Sequence, residues 1–261
     1  MRSGCSMGEL FPPAFMAGKL VISRPRVIVP LTGTTPQMII DEAVAAQAGG
    51  ADVLEWRIDF LLGQHQQLSL APLGKEVIEP ILAATSVPLL LTIRTAEQGG
   101  EAKLSAGRYR LLAAELLDVL VQLGLPAQRI AIDLEHWFEG TPALAQKARE
   151  LGVTVVVSHH DWKETPDSEL MQLFFEDMLE LPGVAKLAVT AHSDNDVQRL
   201  LDVTQNVAQS SGRALIAIAM GDAGRRSRFE GWKYGSAATF ATVGKASAPG
   251  QPTVAELREA L

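Results

Sequence analysis

The sequence holds a single cysteine, Cys5, in 261 residues. No intramolecular disulfide can form, which points to a reducing compartment. No apolar run reaches the length that spans a membrane. The first eighteen residues lack the charged-then-apolar layout of a secretory signal, and Met16 offers an alternative start. A cytoplasmic protein is therefore expected, with no membrane partner. Positive charge is also scarce: 23 Lys and Arg stand against 30 Asp and Glu, a net charge of −7. That balance speaks against a nucleic-acid partner, which would require a basic stripe. It leaves room for an anionic small molecule, because a local arginine cluster can act against the global sign. Linkers, repeats and low-complexity segments are missing too. No Gly-x-Gly-x-x-Gly follows the first candidate strand, which weighs against a dinucleotide-binding sheet.

What is present is a regular alternation. With 47% hydrophobic and 20% charged residues the chain reads as globular and long enough to bury one large core. Residues 1–25 read as an N-terminal extension, expected to be partly disordered. From residue 26 to 261, short runs rich in Val, Ile and Leu alternate with segments of helical spacing. The candidate strands are Val27–Leu31, Val53–Ile58, Leu89–Arg94, Ile130–Glu135, Val153–His159, Val184–Thr190, Ala214–Ala219 and Gly235–Thr239. Helices are expected at Pro36–Ala48, Lys75–Ala84, Ala106–Leu123, Pro142–Leu151, Pro166–Leu179, Asp194–Gln209 and Thr253–Leu261. Thr35, Thr141 and Thr165 each precede a proline and read as capping hydroxyls. Thr253 with Glu256 reads as a capping box. Only Gly221–Trp232 lacks a clear full helix. Eight β/α units predict a parallel sheet closed into a single-domain α/β (β/α)8 TIM barrel, with a doubly wound open sheet as the runner-up.

One residue breaks the pattern. Lys186 sits inside the aliphatic run Gly183–Thr190. A buried lysine must lose its charge or find a partner. A neutral amine attacks carbonyls and begins Schiff-base chemistry; an ion pair with an acid is the structural alternative. In a barrel, catalytic groups collect at the C-terminal strand ends. Those ends here carry Glu55-Trp56-Arg57-Ile58-Asp59, Arg94-Thr95, Asp133-Leu134-Glu135-His136, Ser158-His159-His160-Asp161 and Met220 followed by Arg225, Arg226 and Arg228. Period-two alternation turns Glu55 and Arg57 inward and Leu54, Trp56 and Ile58 toward the helices. A packed core would not hold so many polar groups at one end without a ligand to meet them.

Glu55-Trp56-Arg57-Ile58-Asp59, Arg94-Thr95 with Gly99-Gly100-Glu101, Ser158-His159-His160-Asp161, Lys186, Met220-Gly221 with Ser227-Arg228, and Ser247-Ala248-Pro249-Gly250-Gln251 together resemble the type I 3-dehydroquinate dehydratases over about residues 26 to 261. The resemblance implies dehydration of 3-dehydroquinate to 3-dehydroshikimate with no cofactor and no metal. It implies Lys186 as the imine-forming lysine and His160, not His159, as general acid and base. Glu55, Arg57, Arg94, Arg228, Ser247 and Gln251 carry over as substrate-binding positions, Arg228 for the carboxylate. Arg225 and Arg226 are expected to add local positive potential. Met220 and Gln98 would support the site from behind. A homodimer is the family expectation, and the segment from Gly231 to Gln251 is the candidate lid.

At one position the chain departs from the family pattern Arg-x-x-x-Glu-Gly-Gly: Gln98 stands where the glutamate that orients the histidine would be. An amide accepts a hydrogen bond but cannot stabilise an imidazolium by charge. Either Glu97 reaches in, or His160 works with a lowered pKa, and reduced rather than absent activity is expected. On the residues alone two other readings stay open. One is a class I aldolase that cleaves a carbon–carbon bond through the same imine. The other is an inactive barrel that binds a shikimate-type metabolite. His159, His160, Asp133 and Glu135 lack the spacing of a metal-ligand motif. Biosynthetic and quinate-degrading roles are not distinguished.

Overall fold

The computed structural model describes residues 10–11, 15–16, 19–20, 24–64, 68–244 and 250–261. A small antiparallel pair, β1 (Phe15–Met16) and β2 (Lys19–Leu20), comes first. Eight parallel strands follow: β3 (Arg26–Leu31), β4 (Val53–Arg57), β5 (Leu89–Thr92), β6 (Ile130–Glu135), β7 (Thr154–Asp161), β8 (Val184–Thr190), β9 (Leu215–Met220) and β10 (Ala238–Phe240). From β3 to β9 each pairs with the next in the chain, and β10 returns to pair with β3. Leu215 and Ser236 bridge the remaining seam, where Ala237 N donates to Leu215 O at 2.7 Å. The sheet thus closes into the expected (β/α)8 barrel.

Alternation along the strands sorts side chains into two layers. Leu54, Trp56 and Ile58 pack outward against the helices. Ile28, Val53, Leu90, Ala131, Val156, Val184 and Ile216 fill the lower interior. Leu10 and Phe11 join that inner cluster, Phe11 at 1% exposure, and Phe11 lines a hollow shared with Gly183 and Val184 at the start of β8. At these two positions the N-terminal extension is part of the barrel floor.

Thr35 caps its helix, accepting from Met38 N, and Thr253 forms the capping box with Glu256. Two other caps differ from expectation. The helix Thr141–Glu150 starts after Gly140, and the Thr141 hydroxyl donates instead to Glu135 O at 2.8 Å. Asp167, not Thr165, caps Ser168–Leu179, while Thr165 donates to Thr190 O at 2.9 Å. Between β4 and β5 a short helix Asp59–Gln64 precedes the expected one, which starts early at Ala71 and widens into a π turn over Gly74–Ile78. Pro80, with no N–H to continue the ladder, lies just beyond that turn. The Gly221–Trp232 stretch holds the six-residue helix Arg225–Glu230. β10 begins three residues later than expected, because Gly235 at φ 109° ends a 3-10 turn first.

Candidate active site

Lys186 is the third residue of β8, paired across the sheet with Ser158 and Ile216, and is 4% exposed. Its Nζ lies 3.1 Å from Asp133 Oδ2, 3.7 Å from Glu55 Oε1 and 4.6 Å above the Phe240 ring centroid. The lysine therefore meets its burial with a carboxylate pair while lining a cavity. That cavity, about 530 Å³ counted to its open mouth, also takes in Glu55, Arg57, Arg94, Gln98, His160, Met220, Arg228 and Gln251. Nine of the ten positions expected at the site therefore converge on one space. Ser247 lies outside the described residues, as does part of the candidate lid.

Below the mouth is a buried charge network. Arg94 lies 2.7 Å from Asp133 and 2.9 Å from Glu135, and donates to Ser158 Oγ at 2.9 Å. Ser158 in turn donates to Asp133 Oδ1 at 2.6 Å. Glu135 accepts from the Thr95 backbone and hydroxyl at 2.9 and 2.8 Å, and Glu55 from Thr92 Oγ1 at 3.0 Å. Burial is the largest influence on Asp133 and pushes its pKa up, but Arg94 and Lys186 together bring it down to about 2. Asp133 is thus a fixed carboxylate beside Lys186. Burial leaves Glu135 raised despite Arg94. Replacing Arg94 by methionine takes the cation from two buried carboxylates. The expected cost is about 3–5 kcal/mol, the usual loss when one partner of a buried pair is removed. Chemical unfolding measures it, and a loss under about 1 kcal/mol would contradict the network.

Arg57 is already held in a fork by Asp59, at 2.7 and 2.8 Å, and lies 5.1 Å over the Phe60 ring. Arg228 is buried on the cavity wall, where burial and then Arg225 pull its pKa down to about 10. Arg225 adds positive potential at Arg228, as expected, while also pairing with Glu256 at 2.6 Å. Arg226 reaches Gln198 at 2.8 Å and Glu230 at 3.7 Å. Gln251 is tied by its Nε2 to Ala241 O at 2.9 Å.

His160 lines the cavity and His159 does not. His159 instead accepts from the exposed Trp137 indole at 2.6 Å and rests on Phe174, and burial takes its pKa to about 4. Gln98 Oε1 lies 3.1 Å from both the backbone N and ring Nδ1 of His160. A backbone N–H needs an acceptor, so the amide turns its oxygen toward His160. Nδ1 must then carry the proton, which leaves Nε2 bare. Glu97 is exposed and takes no part. Burial first, then Arg94, Lys186 and Arg57, hold the His160 pKa well below its ordinary value. The imidazole is neutral and able to accept a proton.

Asp59, Asp133 and Ser158 stood in the strand-end motifs without a place among the expected site residues, and Phe240 and Trp162 were not singled out. Asp133 and Ser158 carried a signal, since both are polar positions on inward-facing strand registers.

The model of the family described as Type I 3-dehydroquinase matches residues 27–261. The chain belongs to the type I 3-dehydroquinase family. It is 35% identical over 239 residues to a 3-dehydroquinate dehydratase of Lactiplantibacillus plantarum, covering 91% of this chain and 92% of that one. A Klebsiella pneumoniae 3-dehydroquinate dehydratase is 36% identical over 242 residues, 90% and 91% of the two chains. Among solved structures, 3-dehydroquinate dehydratase from Geobacillus kaustophilus superposes with a TM-score of 0.81 at 28% identity, over 92% of this chain and 90% of that one. A type I 3-dehydroquinate dehydratase from Clostridium difficile with covalent modified comenic acid gives 0.81 at 27% identity, over 96% of each. As a type I 3-dehydroquinase the chain is a hydro-lyase, and its reaction is the dehydration of 3-dehydroquinate. Among the described residues, no group of three His, Cys, Asp or Glu side chains could hold a metal ion, and no helix is long and apolar enough to cross a membrane.

Proposed function

We propose that dehydration proceeds through an imine on Lys186, with His160 as general base and general acid and with side chains alone supplying the chemistry. The observation that carries this reading is the shared cavity. The buried lysine and a histidine with a bare Nε2 line one space, with carboxylates fixed behind the lysine. His160 Nε2 takes a proton from Lys186, whose amine adds to the ring ketone, and returns it to the hydroxyl of the adduct. Loss of water from the adduct leaves a protonated imine, an electron sink that acidifies the neighbouring C–H. His160 Nε2 takes that proton and an enamine forms. The enamine expels the β-hydroxyl as water, with the proton returned from His160. A second water then hydrolyses the imine, freeing the amine and the conjugated ketone. The balance is substrate to product plus one water.

In this reading Arg228 pairs with the substrate carboxylate, because its fork matches both oxygens. Glu55, Gln251 and Ser247 hold ring hydroxyls, and Arg57 and Arg94 assist with N–H groups beyond those their own carboxylates occupy. The covalent modified comenic acid of the Clostridium difficile relative supports a covalent route here. In this reading the enzyme works in the cytoplasm as a homodimer, the latter checked by sedimentation.

The test is 3-dehydroquinate offered to the purified protein. A rise in absorbance from the conjugated product is expected. Retro-aldol cleavage without that rise would make the chain an aldolase, and binding without turnover would make it a sensor. Gln98→Glu adds a test of the amide. A carboxylate beside the ring favours imidazolium, so the acid limb of kcat/KM, lying below pH 6.5 in the parent, moves up by about 1 unit or more, and turnover rises. An unmoved limb with unchanged turnover would contradict tuning at this position.

A further inference from the structure

Trp162 contributes more than a wall to the cavity. It lies two residues beyond His160, at 38% exposure on the rim, and its indole Nε1 donates to the backbone carbonyl of Gln98 at 2.6 Å. The Gln98 Oε1 receives the backbone N–H of His160 and lies 3.1 Å from its ring Nδ1. His160 and Trp162 thus grip one residue from two sides, by its amide oxygen and by its carbonyl. Gly99 allows this fit. Its φ is +81°, and a Cβ there would fall 1.9–2.3 Å from the indole atoms Cε2, Nε1 and Cζ2. The ends of the same loop are tied separately. Thr95 bridges to Ala102, Gly100 N donates to Thr95 O at 2.8 Å, and Asp59 receives Arg94 N and Glu101 N at 3.4 and 3.0 Å.

We propose that Trp162 is a positioning residue, which holds Gln98 so that its amide oxygen keeps His160 protonated on Nδ1 and bare on Nε2. The proposal rests on the reading of His160 as acid and base. A carboxylate presents an acceptor whichever way it turns and also attracts the imidazolium. An amide does neither. Turned over, it presents N–H groups to Nδ1 and moves the ring proton to Nε2, the wrong tautomer for a base. With glutamine at 98, the tautomer depends on where the loop backbone sits, and the indole N–H fixes that point. Phenylalanine would fill much of the same volume without the N–H.

The experiment pairs kinetics with imidazole 15N NMR of the full-length protein. With five histidines in the chain, the His160 signals are assigned by their loss in His160→Gln. Trp162→Phe is expected to lower kcat about three- to tenfold with KM changed less than twofold, and to shift the 15N pattern from Nδ1–H toward a mixture of tautomers. In a Gln98→Ala background the same substitution should leave kcat unchanged, because the route runs through Gln98. Full loss in that background, or a Trp162→Phe protein with the parent's tautomer and kcat, would overturn the proposal. Should Trp162→Phe fail to fold, Gly99→Ala displaces the indole by its Cβ. It is expected to give the same 15N shift, and an unshifted spectrum overturns the proposal equally. The tautomer is read without substrate, so a protein with the 15N shift but no dehydration would sink the functional reading and leave the positioning role standing.

Discussion

Lys186→Ala is expected to lower kcat by on the order of 10⁴-fold or more, the scale on which loss of a covalent nucleophile falls. Lys186 is the one lysine among the described residues lining the cavity. The fold should survive. Asp133 keeps Arg94 at 2.7 Å and Ser158 at 2.6 Å, and Glu55 keeps Thr92 at 3.0 Å, so neither carboxylate is stripped bare. Activity by product absorbance, alongside a thermal unfolding curve, separates the two effects. A folded variant with more than about a hundredth of the parent's kcat would contradict covalent catalysis at this position.

His160→Ala should cost about 10²–10⁴-fold in kcat, the usual worth of a positioned acid and base. The histidine also serves imine hydrolysis, so the fraction of protein carrying substrate on Lys186 should rise as turnover falls. Intact mass during turnover reads that fraction. A variant with near-parent kcat, or one that turns over slowly without bound substrate, would contradict the role. His159→Ala is the matched control, because that ring faces Trp137 and Phe174 outside the cavity. The lowered pKa of His160 also fixes a sign for stability. Below about pH 6.5 the unfolded imidazole takes up a proton that the folded one resists, so stability from this residue falls as pH falls through that value.

The barrel was legible because its two periods differ: Leu54, Trp56 and Ile58 face helices while Glu55 and Arg57 face in, and alternation of this kind needs no knowledge of distant residues. The buried Lys186 was legible for the same reason, as a charge in an aliphatic run. What could not be read locally was which partner each charge takes. Asp133 and Glu135 were visible as inward carboxylates. That Arg94 holds both, and that Asp133 also holds Lys186, depends on the stagger of β5, β6, β7 and β8. The run Arg225-Arg226 looked like added positive potential, and Arg225 does act on Arg228, but its pairing with Glu256, thirty-one residues on, could not be read locally. Thr165-Pro166 carried a sound capping signal, yet the hydroxyl found Thr190 O across the barrel and left the cap to Asp167. Gln98 shows both sides. Its place against the histidine followed from the family resemblance, while its contact with Trp162 spans sixty-four residues of sequence.

The most direct measurement is intact-mass spectrometry after 3-dehydroquinate and borohydride are added together. Reduction of the imine should leave a stable adduct that maps to Lys186 and disappears in Lys186→Ala. An unmodified protein that still forms the conjugated product, or an adduct on another residue, would contradict imine catalysis at Lys186.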